Sequence, residues 1–431
     1  MVRKWICVTA LAVAVPQAHA QDAEAQKLRE ELRQMQQRVD ALEQRPRQTG
    51  ENAFNPSISL ILQGTAAPSS QDPAAYRIDG FAPSGGEVAP APRSFSLGES
   101  ELIISANIDP YFRGQLTAAL TPENEVEVEE AFFQTLGLGK GFTLKGGRFL
   151  SGIGYQNEIH QHAWDFQDAP LPYKAFLGGR LNDDGVQLRW LAPTDLFLEF
   201  GAELGRGRAF PSADSSRNGA GAWSLFAHAG GDLGVSTAWR TGLSYLQVKP
   251  EDRAFEDSDS LGNPVSQSFS GTSKLWIADF VLKWAPNGNA TITNFKLQGE
   301  YFRRDESGSL TYDDGTALNG AYASRQSGWY LQGVYQFMPR WRAGLRYDRL
   351  DHGTVDNAIV TGGLGPSAAD FGPLMTAYNP SRSTVMLDWS PSEFSRLRLQ
   401  LASDKSRADV TDYQVLLQYI FSLGAHGAHT F

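Results

Sequence analysis

From residue 56 onward, apolar and polar residues alternate with period two. Ile58, Leu60 and Leu62 are interleaved with Ser57, Ser59 and, less cleanly, Ile61. Leu102, Ile104, Ala106 and Ile108 alternate with Glu101, Ile103, Ser105 and Asn107. Val186, Leu188 and Trp190 flank Gln187 and Arg189, and Trp239, Leu243 and Tyr245 oppose Arg240 and Ser244. Trp341, Ala343, Leu345 and Tyr347 face away from Arg342, Arg346 and Asp348, and Leu397, Leu399 and Leu401 oppose Arg396, Arg398 and Gln400. Successive side chains of a strand point to opposite faces, so each stretch reads as a strand with one apolar and one strongly polar face.

The connections alternate as well. Short turns are expected at Asp109-Pro110, 137–141, 192–194, 230–234, 286–289, 338–340 and 390–393. Long polar segments fall between them at 67–93, 121–125, 152–182, 207–219, 249–272, 306–324, 352–378 and 404–410. Tight turns at one end and large loops at the other are the plan of an all-β, transmembrane antiparallel β-barrel, here of about sixteen strands. An even strand number returns both barrel ends to the short-turn side. Aromatic residues gather near strand ends (Trp190, Phe197, Trp223, Trp276, Trp284, Trp329, Phe337, Trp389), as interfacial girdles require. The last strand sets Tyr413, Val415, Leu417, Tyr419 and Phe421 on one face, and after a Gly/Ala/His tail the chain ends in Phe431.

Ahead of residue 56 the periodicity differs. Leu28, Leu32, Met35, Val39 and Leu42 form an a/d seam over 22–45, bounded by Pro46, which predicts a short N-terminal coiled-coil helix. About three heptads are too few to be stable alone, so assembly through the barrel is expected to bring the helices together, most simply as a homotrimer. Residues 46–55 read as a linker. Residues 1–20 read as a signal peptide: Arg3 and Lys4 precede an apolar stretch that ends in Ala18-His19-Ala20. These features place the barrel, residues 56–431, in a Gram-negative outer membrane with lipid around it and the coiled coil in the periplasm.

Charge and composition narrow the function. Removal of residues 1–20 leaves a net charge near −12, which argues against a nucleic-acid partner. The only cysteine, Cys7, lies in the export segment, so the mature chain has no thiol chemistry. No Gly-x-Ser-x-Gly is present and no nucleophile stands beside a convincing base, so an enzyme is not expected.

Lys145-Gly146-Gly147-Arg148-Phe149, followed by Gly152, Gly154, a long loop and Gly185-Val186-Gln187-Leu188, resembles the phosphate-selective porin family. The resemblance implies sixteen strands, a homotrimer and a third loop folded into an aqueous pore. It does not carry phosphate selectivity over, because the expected lumen positions bear both signs of charge. Similar sequences are also labelled TonB-dependent receptors; that mechanism needs a plug and a larger barrel than this chain supplies.

Charge is costly on a lipid face, so alternation assigns the charged strand residues to the lumen. The expected pore-lining set is Glu99, Glu101, Arg113, Arg148 (or Lys145), Arg189, Arg240, Lys296, Glu300, Arg342, Arg346, Arg396 and Arg398, with Glu199, Glu203, Asp279 and Lys283 beside them. Glu158, His160, His162, Asp165 and Asp168 occupy the third long loop and would line a constriction. Imidazole and carboxylate are ordinary zinc ligands, so His160 with His162, and His426 with His429, are metal candidates. Neither pair matches a specific metal signature, and no cofactor is assigned. The expected function is a porin for small hydrophilic or ionic solutes. The alternatives are a receptor for a metal such as zinc, or a structural barrel tethered by its coiled coil.

Overall fold

The computed structural model describes residues 56–85, 88–122, 124–213 and 218–424. The signal peptide, the coiled coil, the linker, His426 and His429 lie outside the described residues. The described residues from Pro56 onward form one compact unit.

Sixteen antiparallel strands close into a barrel. In chain order they are β1 (Ser57–Ala66), β2 (Ser100–Asn107), β3 (Phe112–Leu120), β4 (Val126–Thr135), β5 (Phe142–Leu150), β6 (Asn182–Leu191), β7 (Phe197–Gly205) and β8 (Ala222–Leu233). The second half comprises β9 (Thr237–Val248), β10 (Pro264–Trp284), β11 (Asn294–Asp313), β12 (Leu318–Met338), β13 (Trp341–Asn357), β14 (Ser381–Ser392), β15 (Ser395–Lys405) and β16 (Asp412–Gly424). Phe95–Leu97 and Arg253–Ser258 are short continuations of β2 and β9 across interruptions of the strand. β1 closes the ring by pairing with β2 on one side and β16 on the other, in register Ile58↔Ile104 and Leu62↔Phe421.

The alternation places polar residues inside and apolar residues outside. On β13, Arg346 and Asp348 are buried while Leu345 and Tyr347 are exposed; on β16, Gln414 and Gln418 are buried while Tyr413, Val415, Leu417 and Tyr419 are exposed. A water-soluble sandwich would bury the second set. Outer aromatic residues stack in pairs along the wall, Trp341 on Trp389 at 5.8 Å and Trp190 on Phe200 at 5.8 Å. Trp329 and Phe337, both exposed on β12, are separated by about 27 Å of strand, which tilt reduces to roughly the 25 Å height of a lipid-facing band.

Two expected loops turn out to be largely strand. Much of 249–272 and 306–324 is taken up by β10, β11, β12 and the continuation of β9; β10 and β12 run 21 residues each. About 10 residues suffice to cross a bilayer, so this side of the barrel rises far above the rest. The cause is a second apolar cluster: Phe269, Leu310, Tyr312 and Tyr322 pack with Ile359, Phe371 and Leu374 from the segment after β13. Polar spacers such as Ser266, Ser268 and Ser270 made these stretches read as loop, although the hydrogen-bonded ladder continues through them.

The main apolar core lies inside the barrel. Residues 151–181, between β5 and β6, fold inward and pack Ile153, Tyr173 and Phe176 against Ile277, Phe302 and Tyr330 of the wall and Phe81 of the first long loop. A short helix α1 (Leu171–Leu177) is buried along its whole length; it starts behind Pro170 and stops where Gly178 takes a left-handed conformation at φ 66°. Phe176 stacks on Phe302 at 6.1 Å and meets Phe81 edge-on at 5.7 Å.

Candidate functional site: the lumen and its third loop

The inner wall carries opposite charges on opposite sides, and the third loop is tied to both. Toward the C-terminal strands, Asp165 receives Lys296 Nζ at 3.0 Å and Arg342 Nη1 at 2.9 Å. Asp168 receives Arg346 Nη2 at 3.1 Å and Gln400 Nε2 at 2.8 Å, and it also pairs with Arg382. The loop backbone is held as well: the Trp164 carbonyl accepts from Arg398 Nη2 at 2.6 Å and from Arg396 Nη1 at 3.3 Å. Arg342 is shared with Asp388, its β14 neighbour, and Arg346 with Asp348. Fork-shaped guanidinium groups suit such double engagement with carboxylates.

The middle of the loop hangs on two buried glutamates. Glu300 accepts from the backbone amides of Tyr155 and Gln156, both at 3.1 Å, and from the hydroxyls of Tyr173 and Tyr330 at 2.9 and 2.6 Å. Glu203 accepts from the Gly152 amide at 2.8 Å and from Gln187 Nε2 at 2.6 Å. Glu158 pairs with Arg189, which also approaches Glu199 at 3.5 Å. Arg240 lies over the Tyr155 ring at 5.2 Å.

On the N-terminal side the wall is acidic. Glu99 meets Arg180 at 3.3 Å, and Arg180 also pairs with Glu129. Glu101 Oε1 accepts from His162 Nδ1 at 2.9 Å. His160 Nε2 lies 3.0 Å from Glu130 Oε2, and its Nδ1 lies 3.2 Å from both Glu129 Oε2 and Glu101 Oε2. Glu101, Glu129 and His160 are the group of ligand types among the described residues whose atoms converge closely enough to hold a metal ion.

The expected loop residues therefore separate. Glu158, His160 and His162 face the β2–β7 wall, while Asp165 and Asp168 face β11–β15. Of the expected strand residues, Glu99, Glu101, Arg189, Arg240, Lys296, Glu300, Arg342, Arg346, Arg396 and Arg398 all contact the third loop. Arg113 has the inward parity but sits at the short-turn end, where Nη2 reaches Gln115 at 3.4 Å. Asp279 is buried on β10.

Arg148 corrects the expectation. It pairs with Asp184 at 2.6 Å on the face that carries Phe142, Leu144, Val186 and Leu188, which is the outer face. The inward residue is Lys145, its Nζ 4.7 Å from the Phe132 ring centroid. Alternation counted outward from Phe142 gives this result; the Gly146-Gly147 pair obscured the parity.

Several contacts were not foreseen. Arg382 and Asp388 were legible, since Val385, Leu387 and Trp389 alternate with them on β14. Arg180 and Lys174 lie in the loop, where no periodicity marks them. A cavity of about 880 Å³ opens between the first loop, the third loop and the wall, lined among others by Glu99, Arg180, Asp168, Lys174 and Arg382.

No known protein-family profile matches the chain. An uncharacterised protein of Aquifex aeolicus (strain VF5) is 30% identical over 409 residues, 88% of this chain and 81% of that one. Among solved structures, the outer membrane protein OmpT of Vibrio cholerae, in a loop L8 deletion form, superposes with a TM-score of 0.52 at 9% identity, over 86% of this chain and 100% of that one. A trimer form of Vibrio cholerae OmpT gives 0.51 at 8% identity over 85% and 99%. The outer membrane channel DcaP of Acinetobacter baumannii gives 0.50 at 9% identity over 85% and 97%. The chain thus belongs to the same family as the Aquifex aeolicus protein, and its closed barrel has the fold of outer-membrane porins and channels.

Proposed function

We propose that the chain is a porin of a Gram-negative outer membrane, passing small hydrophilic and ionic solutes by diffusion past the third loop. The observation that carries this reading is the inverted wall, charged inside and apolar with aromatic pairs outside, around a loop that narrows the lumen without filling the 880 Å³ cavity beside it. Positive side chains on β11–β15 face acidic ones on β2 and β4, which sets a field across the path and favours polar over apolar solutes. Most of the arginines are engaged by Asp165, Asp168, Asp348 and Asp388, so the reading is general polar passage rather than phosphate capture.

The protein acts in this reading as a homotrimer, with the 22–45 helix on the periplasmic side. The support is the heptad seam, together with the pairing of Ser59 with Gly424, which puts both barrel ends at one rim. Liposome swelling tests solute passage: reconstituted protein admits small neutral and charged solutes at rates that fall with size. Vesicles that swell no faster than empty ones refute it. Deletion of residues 22–45 tests the assembly role, and an equally trimeric product reduces the helix to a spacer.

A further inference from the structure

On the acidic side of the lumen, His160 stands among three glutamates in an arrangement that hydrogen bonding alone leaves incomplete. Its Nε2 lies 3.0 Å from Glu130 Oε2, the distance of a donated hydrogen bond, which puts the ring proton on Nε2. Nδ1 then turns a lone pair toward Glu101 Oε2 and Glu129 Oε2, each 3.2 Å away. Three lone-pair atoms converge with no proton of their own to share. A second ring proton serves one oxygen well, and Glu101 Oε2, in a side chain with 0% exposure, accepts no hydrogen bond.

We propose that His160 Nδ1, Glu101 Oε2 and Glu129 Oε2 form a binding site for a divalent transition-metal cation of the zinc class. Ligands about 2.0–2.1 Å from a tetrahedral ion stand roughly 3.3 Å apart. The imidazole nitrogen already lies 3.2 Å from both oxygens. Two carboxylates balance the charge of a dication, and one nitrogen among the donors favours zinc over calcium or magnesium, which demand more oxygen ligands.

The far atom of each ligand is held by a further group. Glu130 takes the His160 Nε2 proton, His162 Nδ1 donates to the other oxygen of Glu101 at 2.9 Å, and Arg180 engages the other oxygen of Glu129. Such outer partners fix ligand orientation and are a regular companion of metal-binding histidines. The site thus differs from a simple His-x-His pair: His162 orients a ligand rather than supplying one. A bound ion would fasten the third loop to β2 and β4, on the wall opposite the arginines that hold Asp165 and Asp168.

The test is calorimetric titration of Zn²⁺ into the full-length protein in detergent after chelator treatment. His426→Ala and His429→Ala are present throughout, so that the tail contributes nothing. One Zn²⁺ per chain is expected, with Ca²⁺ and Mg²⁺ at least about 100-fold weaker. Glu130→Gln lowers zinc affinity about 10–100-fold, and His160→Gln or Glu101→Gln removes the equivalent. Heat-modifiable migration confirms that each variant is folded. Should the ligand variants fail to fold, the absorption of Co²⁺ in the parent protein decides, an intense four-coordinate band supporting the site and a weak six-coordinate one opposing it. Absence of a zinc equivalent, unchanged binding in folded His160→Gln, or calcium binding as tight as zinc overturns the proposal.

Discussion

Glu129 and Glu130 are neighbours in the chain, yet both side chains are buried in the lumen. Thr117 on β3 pairs with Glu130 and the next residue, Ala118, pairs with Val128, so Glu129 is the extra residue of a β-bulge. A bulge re-aims side chains that strict alternation would send to opposite faces. Here it delivers two adjacent carboxylates to His160 and Arg180. Gly147 on the adjoining strand, at φ 125°, permits the close approach, since a Cβ there would collide with the Ala131 carbonyl.

Excision of Glu129 alone should close the bulge and leave β4 paired. Arg180 then keeps Glu99 as its carboxylate partner, at a local cost of about 1–3 kcal/mol. The expected outcome is a folded barrel that trypsin cleaves after Arg180 faster than it cleaves the parent protein. Equal cleavage rates would mean that the bulge does not hold this end of the loop.

Glu300 is the acceptor for two loop amides and two tyrosine hydroxyls. Glu300→Ala leaves these donors without it, at about 1–3 kcal/mol for each one that stays buried. Hydrogen exchange across 151–181 should speed up while exchange in the β13–β16 ladder stays slow. An unaltered loop would show that the arginine contacts suffice to hold it.

The transverse field can be shifted from either side. Arg396 bonds loop carbonyls, and Arg396→Gln removes one positive charge from its wall. Glu99→Gln removes one negative charge from the other. Each change is worth about 1 kcal/mol, roughly fivefold in relative ion permeability, toward cations for the first and toward anions for the second. Reversal potentials that move together, or not at all, would contradict a path between the two walls.

The outer face makes a separate prediction. Leu399 is exposed between Leu397 and Leu401, and Leu399→Arg should cost about 2–4 kcal/mol if it sits near mid-bilayer. Equilibrium refolding into liposomes measures this cost. A neutral result would place that face away from lipid.

Two external loops meet at Asp370, which accepts from the Ser260 hydroxyl and amide and from the Ser367 hydroxyl and amide. The Ser260 side-chain bond, then those of Ser367, hold its carboxyl well below the usual aspartate range. A lowered folded pKa stabilises the contact above the ordinary value near 4, and the stabilisation disappears only as the pH falls through the lowered one. Exchange at the Ser260 amide should stay slow at pH 4 and accelerate in Asp370→Asn at any pH. Loss of protection already between pH 5 and 4 would refute the shift.

Much of the barrel was legible because its constraint is local. A strand facing lipid on one side and polar groups on the other must alternate, as Leu397, Leu399 and Leu401 do with Arg396, Arg398 and Gln400 on β15. Parity was hidden at Arg148, where the Gly146-Gly147 pair interrupts the apolar pattern although the alternation runs unshifted from Phe142. It failed at Glu129, where the bulge shifts the count without an unambiguous sequence mark. The tall strands β10–β12 were hidden because their upper halves are rich in serine, glycine and charged residues, and part of the apolar cluster that supports them comes from the segment after β13. The third-loop charges were legible as candidates. Their partners were not, since Asp168 meets Arg382 across more than two hundred residues of chain.

The most direct test of the porin reading is conductance of the purified protein in a planar bilayer under a salt gradient. The account predicts discrete steps, grouped in threes for a trimer, and a reversal potential that responds oppositely to Arg396→Gln and Glu99→Gln. A folded barrel that remains silent across the voltage range would contradict it.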